Sequence, residues 1–254
     1  MQPQFAQQVI VPQWPAPAGV HAFTTLRGPT GYSVLPFDRL NLGAHCGDQD
    51  ESVRANRALL AVQARLPAAP RWLRQVHGTA VHRFAGEAGD AEPEADAAVT
   101  TVPGTVLAML TADCLPVALA AADGGEVALA HAGWRGLCDG VVEATVQAMA
   151  SSPGNLIAWL GPAAGPQRYE VGDAVRAAFI AHDPLAAQAF AATRPGHWLC
   201  DLYELARQRL RAQGTRRIYG GEQCTISDAR RFFSHRRDGL SGRMASLIWI
   251  APGR

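Results

Sequence analysis

Two short segments carry reactive side chains at the ends of apolar runs: Thr111-Ala112-Asp113-Cys114-Leu115-Pro116 and His131-Ala132-Gly133-Trp134-Arg135-Gly136. A third reactive group, His77, stands upstream in Gln75-Val76-His77-Gly78. One cysteine and two histidines are the donors a catalytic zinc takes, three protein ligands with one position left open. The same three residues also suit a Cys-His nucleophile pair with a spare histidine. Their spacing is wide and unlike a zinc finger, so the residues alone leave both chemistries open.

The neighbours of these three sharpen the choice of candidates. An isolated cysteine is most often a buried structural one. Asp113 argues against that for Cys114, because an apolar core rarely accepts an unpaired carboxylate. Pro116 biases Leu115 to an extended conformation, which predicts a turn that presents Cys114 at a strand end. Asp113 could then orient a ligand or move a proton. His131 closes the run Val127-Ala128-Leu129-Ala130 before a glycine turn, and strand ends of that kind are where ligands bind. Gly133 and Gly136 permit close backbone approach. Trp134 could stack on a flat substrate and Arg135 could meet an anion, although a core tryptophan and a surface ion pair are the commoner outcomes.

Two further clusters offer polar contacts. Thr24-Thr25-Leu26-Arg27-Gly28 is followed by Asn41-Leu42-Gly43-Ala44-His45-Cys46-Gly47-Asp48. Arg27, Asn41 and His45 on these glycine-rich loops are candidate contacts for phosphate or hydroxyl groups. Near the other end, Phe232-Phe233-Ser234-His235-Arg236-Arg237-Asp238-Gly239 precedes Ser241-Gly242-Arg243-Met244. Arg236 is the candidate there for an anionic substrate group.

The bulk properties narrow the class. The 254 residues can bury a substantial core. Lys+Arg 23 against Asp+Glu 22 gives a net charge of +1, which lacks the electrostatic footprint of a nucleic-acid or anionic-membrane binder. Five cysteines without a CxxC pair argue against a disulfide framework and for a reducing compartment. No signal peptide is visible, and the longest apolar stretch, Val106 to Ala122, is broken by Asp113 and Pro116. A soluble cytoplasmic protein, monomeric or a small homo-oligomer, is the expectation.

These residues must be positioned by a mixture of elements. Residues 1–23 read as an extended lead-in, and 28–48 as loop. Asp50 is a plausible N-cap for a helix over Glu51–Leu66. Trp72 to Phe84 alternates like a strand or hairpin arm, and Glu87 to Asp96 reads as an acidic surface loop. Thr105–Leu110, Val117–Ala121, Glu126–His131 and Leu156–Leu160 are continuous apolar runs that suit strands buried on both faces. The Gly133–Gly136 turn leads to a helix over Asp139–Ala150. Val171–Ala181 and Asp201–Gln213 read as amphipathic helices, with Asp201 as N-cap, and Arg217–Tyr219 and Leu247–Ile250 as late strands. No GxGxxG or Walker sequence follows a strand. The reading is one α+β domain, residues 1–254 with a core over about 20–250, built from mixed β-sheets flanked by helices.

Taken together, TTLRG, NLGxHxGD, RQVHG, TADCLPV, HAGWRG, the Gly161–Asp173 stretch, WxxDLYxLAR and FFSHRRDGxxGRMASLIWI appear in an order that resembles the YfiH family. That family is also called the laccase-domain or polyphenol oxidase, peptidoglycan editing factor and purine nucleoside phosphorylase family. The resemblance runs from about Val20 to Ile250. It implies a zinc site of His77, Cys114 and His131. It also implies phosphorolysis of adenosine, inosine, guanosine and S-methyl-5'-thioadenosine, with adenosine deamination as a second activity. Purine nucleosides and phosphate are then the partners. Two family labels imply rivals: a cysteine amide hydrolase that edits a UDP-MurNAc peptide precursor, and a copper-linked polyphenol oxidase. The chain has eight histidines and no His-x-His pair, which weighs against a multicopper enzyme, although copper could bind the same three donors. Pro29, Thr30 and Gln167 depart from the family pattern and touch none of the implied ligands.

Overall fold

The computed structural model describes residues 1–86 and 92–253. Along the chain come α1 (Pro3–Ala6), β1 (Val9–Ile10), β2 (Val20–Thr25), α2 (Asp50–Ala64), β3 (Val81–Arg83), β4 (Ala97–Thr100), β5 (Leu107–Thr111), β6 (Leu115–Ala121) and β7 (Val127–Ala132). The second half adds α3 (Trp134–Asp139), α4 (Val141–Ala148), β8 (Leu156–Leu160), β9 (Glu170–Gly172), α5 (Asp173–His182), β10 (Phe190–Arg194), β11 (His197–Cys200), α6 (Leu202–Ala212), β12 (Arg217–Gly220), α7 (His235–Asp238) and β13 (Met244–Ile250). The fold class is α+β, with mixed sheets as the apolar runs imply.

A four-stranded sheet has the order β1-β2-β13-β5, and a six-stranded sheet the order β12-β8-β6-β7-β4-β3. A small third sheet holds β10, β11 and β9. The continuous apolar runs follow from burial on two faces. On β6, Leu115, Val117 and Leu119 pack with Val141, Val142 and Val146 of α4 and Leu205 of α6. The alternate residues Ala118 and Ala120 pack with Leu107 and Met109 of β5 and Ile248 of β13. The outer face of the four-stranded sheet covers Leu60 and Ala64 of α2 with Phe23, Leu247 and Trp249. The two large sheets are thus stacked, with helices outside each.

One consequence governs the site. β5 belongs to one sheet and β6 to the other. The Ala112-Asp113-Cys114 turn therefore crosses between layers, and Cys114 sits at the edge of the stack. Antiparallel pairing of β6 with β7 places Leu115 opposite Ala132 and Pro116 opposite His131. Pairing of β4 with β7 sets Ala97 opposite Ala130, so Asp96 arrives beside His131.

Several local expectations are corrected. Residues 1–23 hold a short helix, the two-residue strand β1 and the start of β2 rather than an extended lead-in. Asp50 is the first residue of α2, and Gln49 is its cap without a side-chain bond. Within Trp72–Phe84 only Val81–Arg83 is strand. The backbone of residues 76–78 donates to a carboxylate instead of a ladder. Helix formation begins at Trp134, inside the expected turn, and Gly140 at φ 103° separates α3 from α4. The expectation for Glu87 to Asp96 lies partly outside the described residues, and its last member, Asp96, is fully buried rather than at the surface. Asp201 does cap α6, its side chain accepting from the Glu204 amide. Among the described residues no helix is long and apolar enough to cross a membrane.

Candidate metal centre

The layer crossing and the two registers bring His77, Cys114 and His131 together, with one donor atom from each lying within 4.8 Å of the others. Cys114 Sγ is 3.9 Å from His77 Nε2. The two imidazole rings meet edge to face at 4.8 Å between centroids. His131 is buried, Cys114 half-buried and His77 exposed, so the cluster opens to solvent on the His77 side. Among the described residues it is the one such group of metal-binding type.

Asp96 fixes the geometry of both histidines. Its carboxylate accepts from the backbone N–H of Val76 at 3.1 Å, His77 at 2.9 Å and Gly78 at 2.7 Å. One of its oxygens lies 2.8 Å from His131 Nδ1. A carboxylate only accepts, so Nδ1 carries the proton, and in neutral His131 the lone pair on Nε2 faces a ligand. His77 sits at φ 61°, a left-handed conformation that costs about 1–3 kcal/mol in a non-glycine residue. The three N–H bonds to Asp96 offset that cost. Asp96 was expected in a surface loop. Its signal in the sequence was its place directly before the apolar run Ala97–Thr100, the same argument that singles out Asp113.

Electrostatics couple the cluster. Burial disfavours the Cys114 thiolate, but the charge of His131 and hydrogen bonds from His131 and His77 outweigh it and pull the thiol down to about 6. Burial likewise disfavours a charged His131, yet the Cys114 thiolate and the Asp96 bond push it up to about 9. Burial works against ionised Asp96 too, and the bonds from His131 and Gly78 still hold it below the usual carboxylate range.

The donor set fits a zinc ion. A tetrahedral ion with N and S ligands at about 2.0–2.3 Å needs donors spaced by a few ångströms, as these are. The surrounding backbone is shaped to leave the donors in place. A Cβ on Gly133 would lie 2.9 Å from Cys114 Sγ and 3.1 Å from His77 Cδ2. A Cβ on Gly136 would lie 2.9 Å from the Gly78 carbonyl. The glycines of HAGWRG are therefore the residues that let α3 press against the cluster.

The cluster opens into a cavity of about 330 Å³. The wall is apolar at Leu73, Leu110 and Ala112, and polar at His45, Gln75, His235 and Arg243. Of the expected substrate contacts only His45 lies there. Arg27 is tied to Asp38 at 3.0 Å and to the Ala229 carbonyl at 3.0 Å, and stacks on Phe233. Asn41 is fully buried and bonds Gly43, Asp48 and the Arg243 amide. Arg236 donates to the Glu170 carbonyl and lies over Tyr169. Each of these three meets a protein partner before it can reach the cavity.

Asp113 is likewise turned away from the metal-ligand cluster. Its carboxylate accepts from Thr225 Oγ1 at 2.5 Å, Ser234 Oγ at 3.0 Å and the Arg236 amide at 2.7 Å. It anchors the C-terminal segment to the layer crossing.

The chain is similar to known proteins over nearly its whole length. The family model described as multi-copper polyphenol oxidoreductase laccase matches residues 20–251. A purine nucleoside phosphorylase from Xylella fastidiosa strain 9a5c is 58% identical, over 97% of this chain and 98% of its own. The purine nucleoside phosphorylase YfiH of Escherichia coli K12 is 51% identical, over 96% and 99%. The crystal structure of Neisseria meningitidis protein NMB0706 superposes with a TM-score of 0.92 at 44% identity, covering 96% of this chain and all of that one. Matches of this length and identity make the chain a member of the laccase-domain, or YfiH, family.

Proposed function

We propose that the chain is a zinc-dependent purine nucleoside phosphorylase acting on adenosine, inosine, guanosine and S-methyl-5'-thioadenosine, with adenosine deamination as a side activity. The observation that carries the reading is the His77–Cys114–His131 cluster at the base of a cavity, in a chain whose relatives bear the phosphorylase name. Cys114 would hold the metal as thiolate, and His77 and His131 as neutral imidazoles. A bound divalent ion supplies Lewis acidity at that point. Asp96 keeps His131 in the ligating tautomer and holds the 76–78 loop that carries His77. Leu73, Leu110 and Ala112 offer apolar surface to a purine. A multicopper oxidase is disfavoured, because it requires several copper centres and the described residues contain one three-residue group.

The test is release of hypoxanthine from inosine with and without phosphate. Ribose 1-phosphate formed in proportion to hypoxanthine supports the reading, and a rate indifferent to phosphate removes it. A second reading, a cysteine amide hydrolase acting on a UDP-MurNAc peptide precursor, draws on the Cys114 thiol held at about 6 beside His131. Full amide hydrolysis by metal-free protein, abolished by alkylation of Cys114, would favour it. No turnover of such a precursor would exclude it.

A further inference from the structure

All 23 basic side chains of the chain, histidine aside, are arginines, so any fixed positive charge offered to a ligand is a guanidinium. Among the described residues Arg243 is the one arginine on the wall of the cavity that holds the metal-ligand cluster, and none of the described residues on that wall is a carboxylate. Other arginines are committed elsewhere: Arg27 to Asp38, Arg57 to Glu92 and Arg237 to Asp238. Among the described residues Arg243 bonds through one terminal nitrogen, Nη1, to the carbonyls of Ser241 at 2.6 Å and Gly242 at 3.0 Å. Its Nε and Nη2 keep no protein partner there.

The position of this side chain is built by the N-terminal part of the chain. The buried Asn41 accepts the Arg243 amide at 2.8 Å and the Gly43 amide at 3.0 Å through the same oxygen. Gly43 then makes room: a Cβ there would lie 2.6 Å from Arg243 Cγ. Asn41 and Gly43 of the Asn-Leu-Gly segment thus serve to lay the arginine along the cavity, where a fork of two N–H groups suits two oxygens of a tetrahedral dianion.

We propose that Arg243 is the principal contact for the inorganic phosphate that the phosphorylase reaction consumes, with His45 and His235 beside it on the wall. The proposal rests on the phosphorylase reading. At about 330 Å³ the cavity is near the lower limit for a small-molecule site, so nucleoside and anion must lie against each other. In the reaction a phosphate oxygen bonds to the anomeric carbon of the ribose as the bond from that carbon to the purine nitrogen breaks. The electron pair leaves with the purine, and the proton of hydrogen phosphate ends on that nitrogen.

The experiment measures binding of inorganic phosphate by calorimetry, and the KM values for phosphate and inosine, in wild type, Arg243→Met and Arg243→Lys. Arg243→Met should weaken phosphate binding and raise the phosphate KM by about 10-fold or more, the loss expected for charge-assisted hydrogen bonds. The inosine KM should stay within about 2-fold, because a neutral nucleoside gains little from the guanidinium. Arg243→Lys should fall between, having charge without the fork. Gly43→Ala is an independent variant: it keeps the guanidinium but displaces it, and should also raise the phosphate KM. Circular dichroism and zinc content matching wild type establish that each variant is folded. Unchanged phosphate binding in folded Arg243→Met overturns the proposal. Phosphate-dependent cleavage with an unchanged phosphate KM in that variant also overturns it, while leaving the phosphorylase reading intact. Weakened phosphate binding in a protein that never cleaves inosine supports the anion site and removes the phosphorylase reading instead.

Discussion

Replacing Asp96 by Asn tests whether one buried carboxylate organises the metal ligands. Oδ2 accepts from the Val76 and Gly78 amides, and Oδ1 from the His77 amide and His131 Nδ1. An asparagine must put an NH2 in place of one oxygen. In the first orientation it opposes two backbone donors. In the second it opposes His77 N–H and meets His131 Nδ1. There the imidazole escapes only by moving its proton to Nε2, which removes the lone pair a metal needs. The first orientation loses two hydrogen bonds at about 1–3 kcal/mol each, and so does the second while His131 keeps its ligating tautomer; the lower half of that range applies because the 76–78 loop is partly exposed. The sum is about 2–4 kcal/mol, which for a chain of this size lowers Tm by at least about 4 °C. Zinc affinity should fall about 10- to 100-fold, as when other partners of ligating histidines are removed. The assays are a thermal melt and competition for zinc against a chromophoric chelator. An Asp96→Asn protein that melts with wild type and holds zinc equally well would refute the reasoning.

Other consequences follow from the same geometry. Gly133→Ala should strip zinc from a folded protein, since its Cβ would crowd Cys114 and His77 at 2.9 and 3.1 Å; metal analysis after dialysis checks it. In metal-free protein Cys114, with its thiol near 6, should alkylate at a rate that climbs through pH 6 and levels off above it. Cys200, pushed up by burial, should stay inert at neutral pH, and mass spectrometry of the labelled peptides distinguishes them. Zinc should protect Cys114. Asp201→Ala removes the cap of α6 and should cost about 0.5–2 kcal/mol in a melt, with zinc content unchanged.

The fold was legible where one cause decided the local structure. The apolar runs of β6, β7 and β8 are buried on both faces by a second sheet and by helices, and runs of this length suit strands better than helices. Asp201 before α6 was legible for a similar reason, its short side chain satisfying an amide three residues on. The expected helix over Asp139–Ala150 failed at its start. Burial of Leu137 and Cys138 against the core, with Gly136 pressed on the Gly78 carbonyl, draws the Gly-Trp-Arg-Gly segment into helix despite its two glycines. The Trp72–Phe84 run failed because its backbone donors go to Asp96, a tertiary partner that no local pattern reveals.

The candidate site shows the same division between residue type and direction. His77, Cys114 and His131 could be singled out because each is a donor at the edge of an apolar run, and residue type is what a sequence states. Asp96 and Asp113 stand in equivalent local settings, each a carboxylate at the head of a buried strand, and they do opposite things. Asp96 faces His131 because β4 pairs with β7 in the register that sets Ala97 opposite Ala130. Asp113, at φ 87°, is rotated so that its carboxylate meets Thr225, Ser234 and the Arg236 amide from the far end of the chain. A one-residue slip of β4 would exchange the faces and leave His131 without its partner. Arg27 and Arg243 repeat the contrast: both precede or follow short glycine segments, but Asp38 captures the first and Asn41 with Gly43 steers the second to the cavity. What separates a metal-orienting aspartate from an anchoring one, or a substrate arginine from a structural one, is the partner that reaches it first, and strand register together with long-range loops determines that partner.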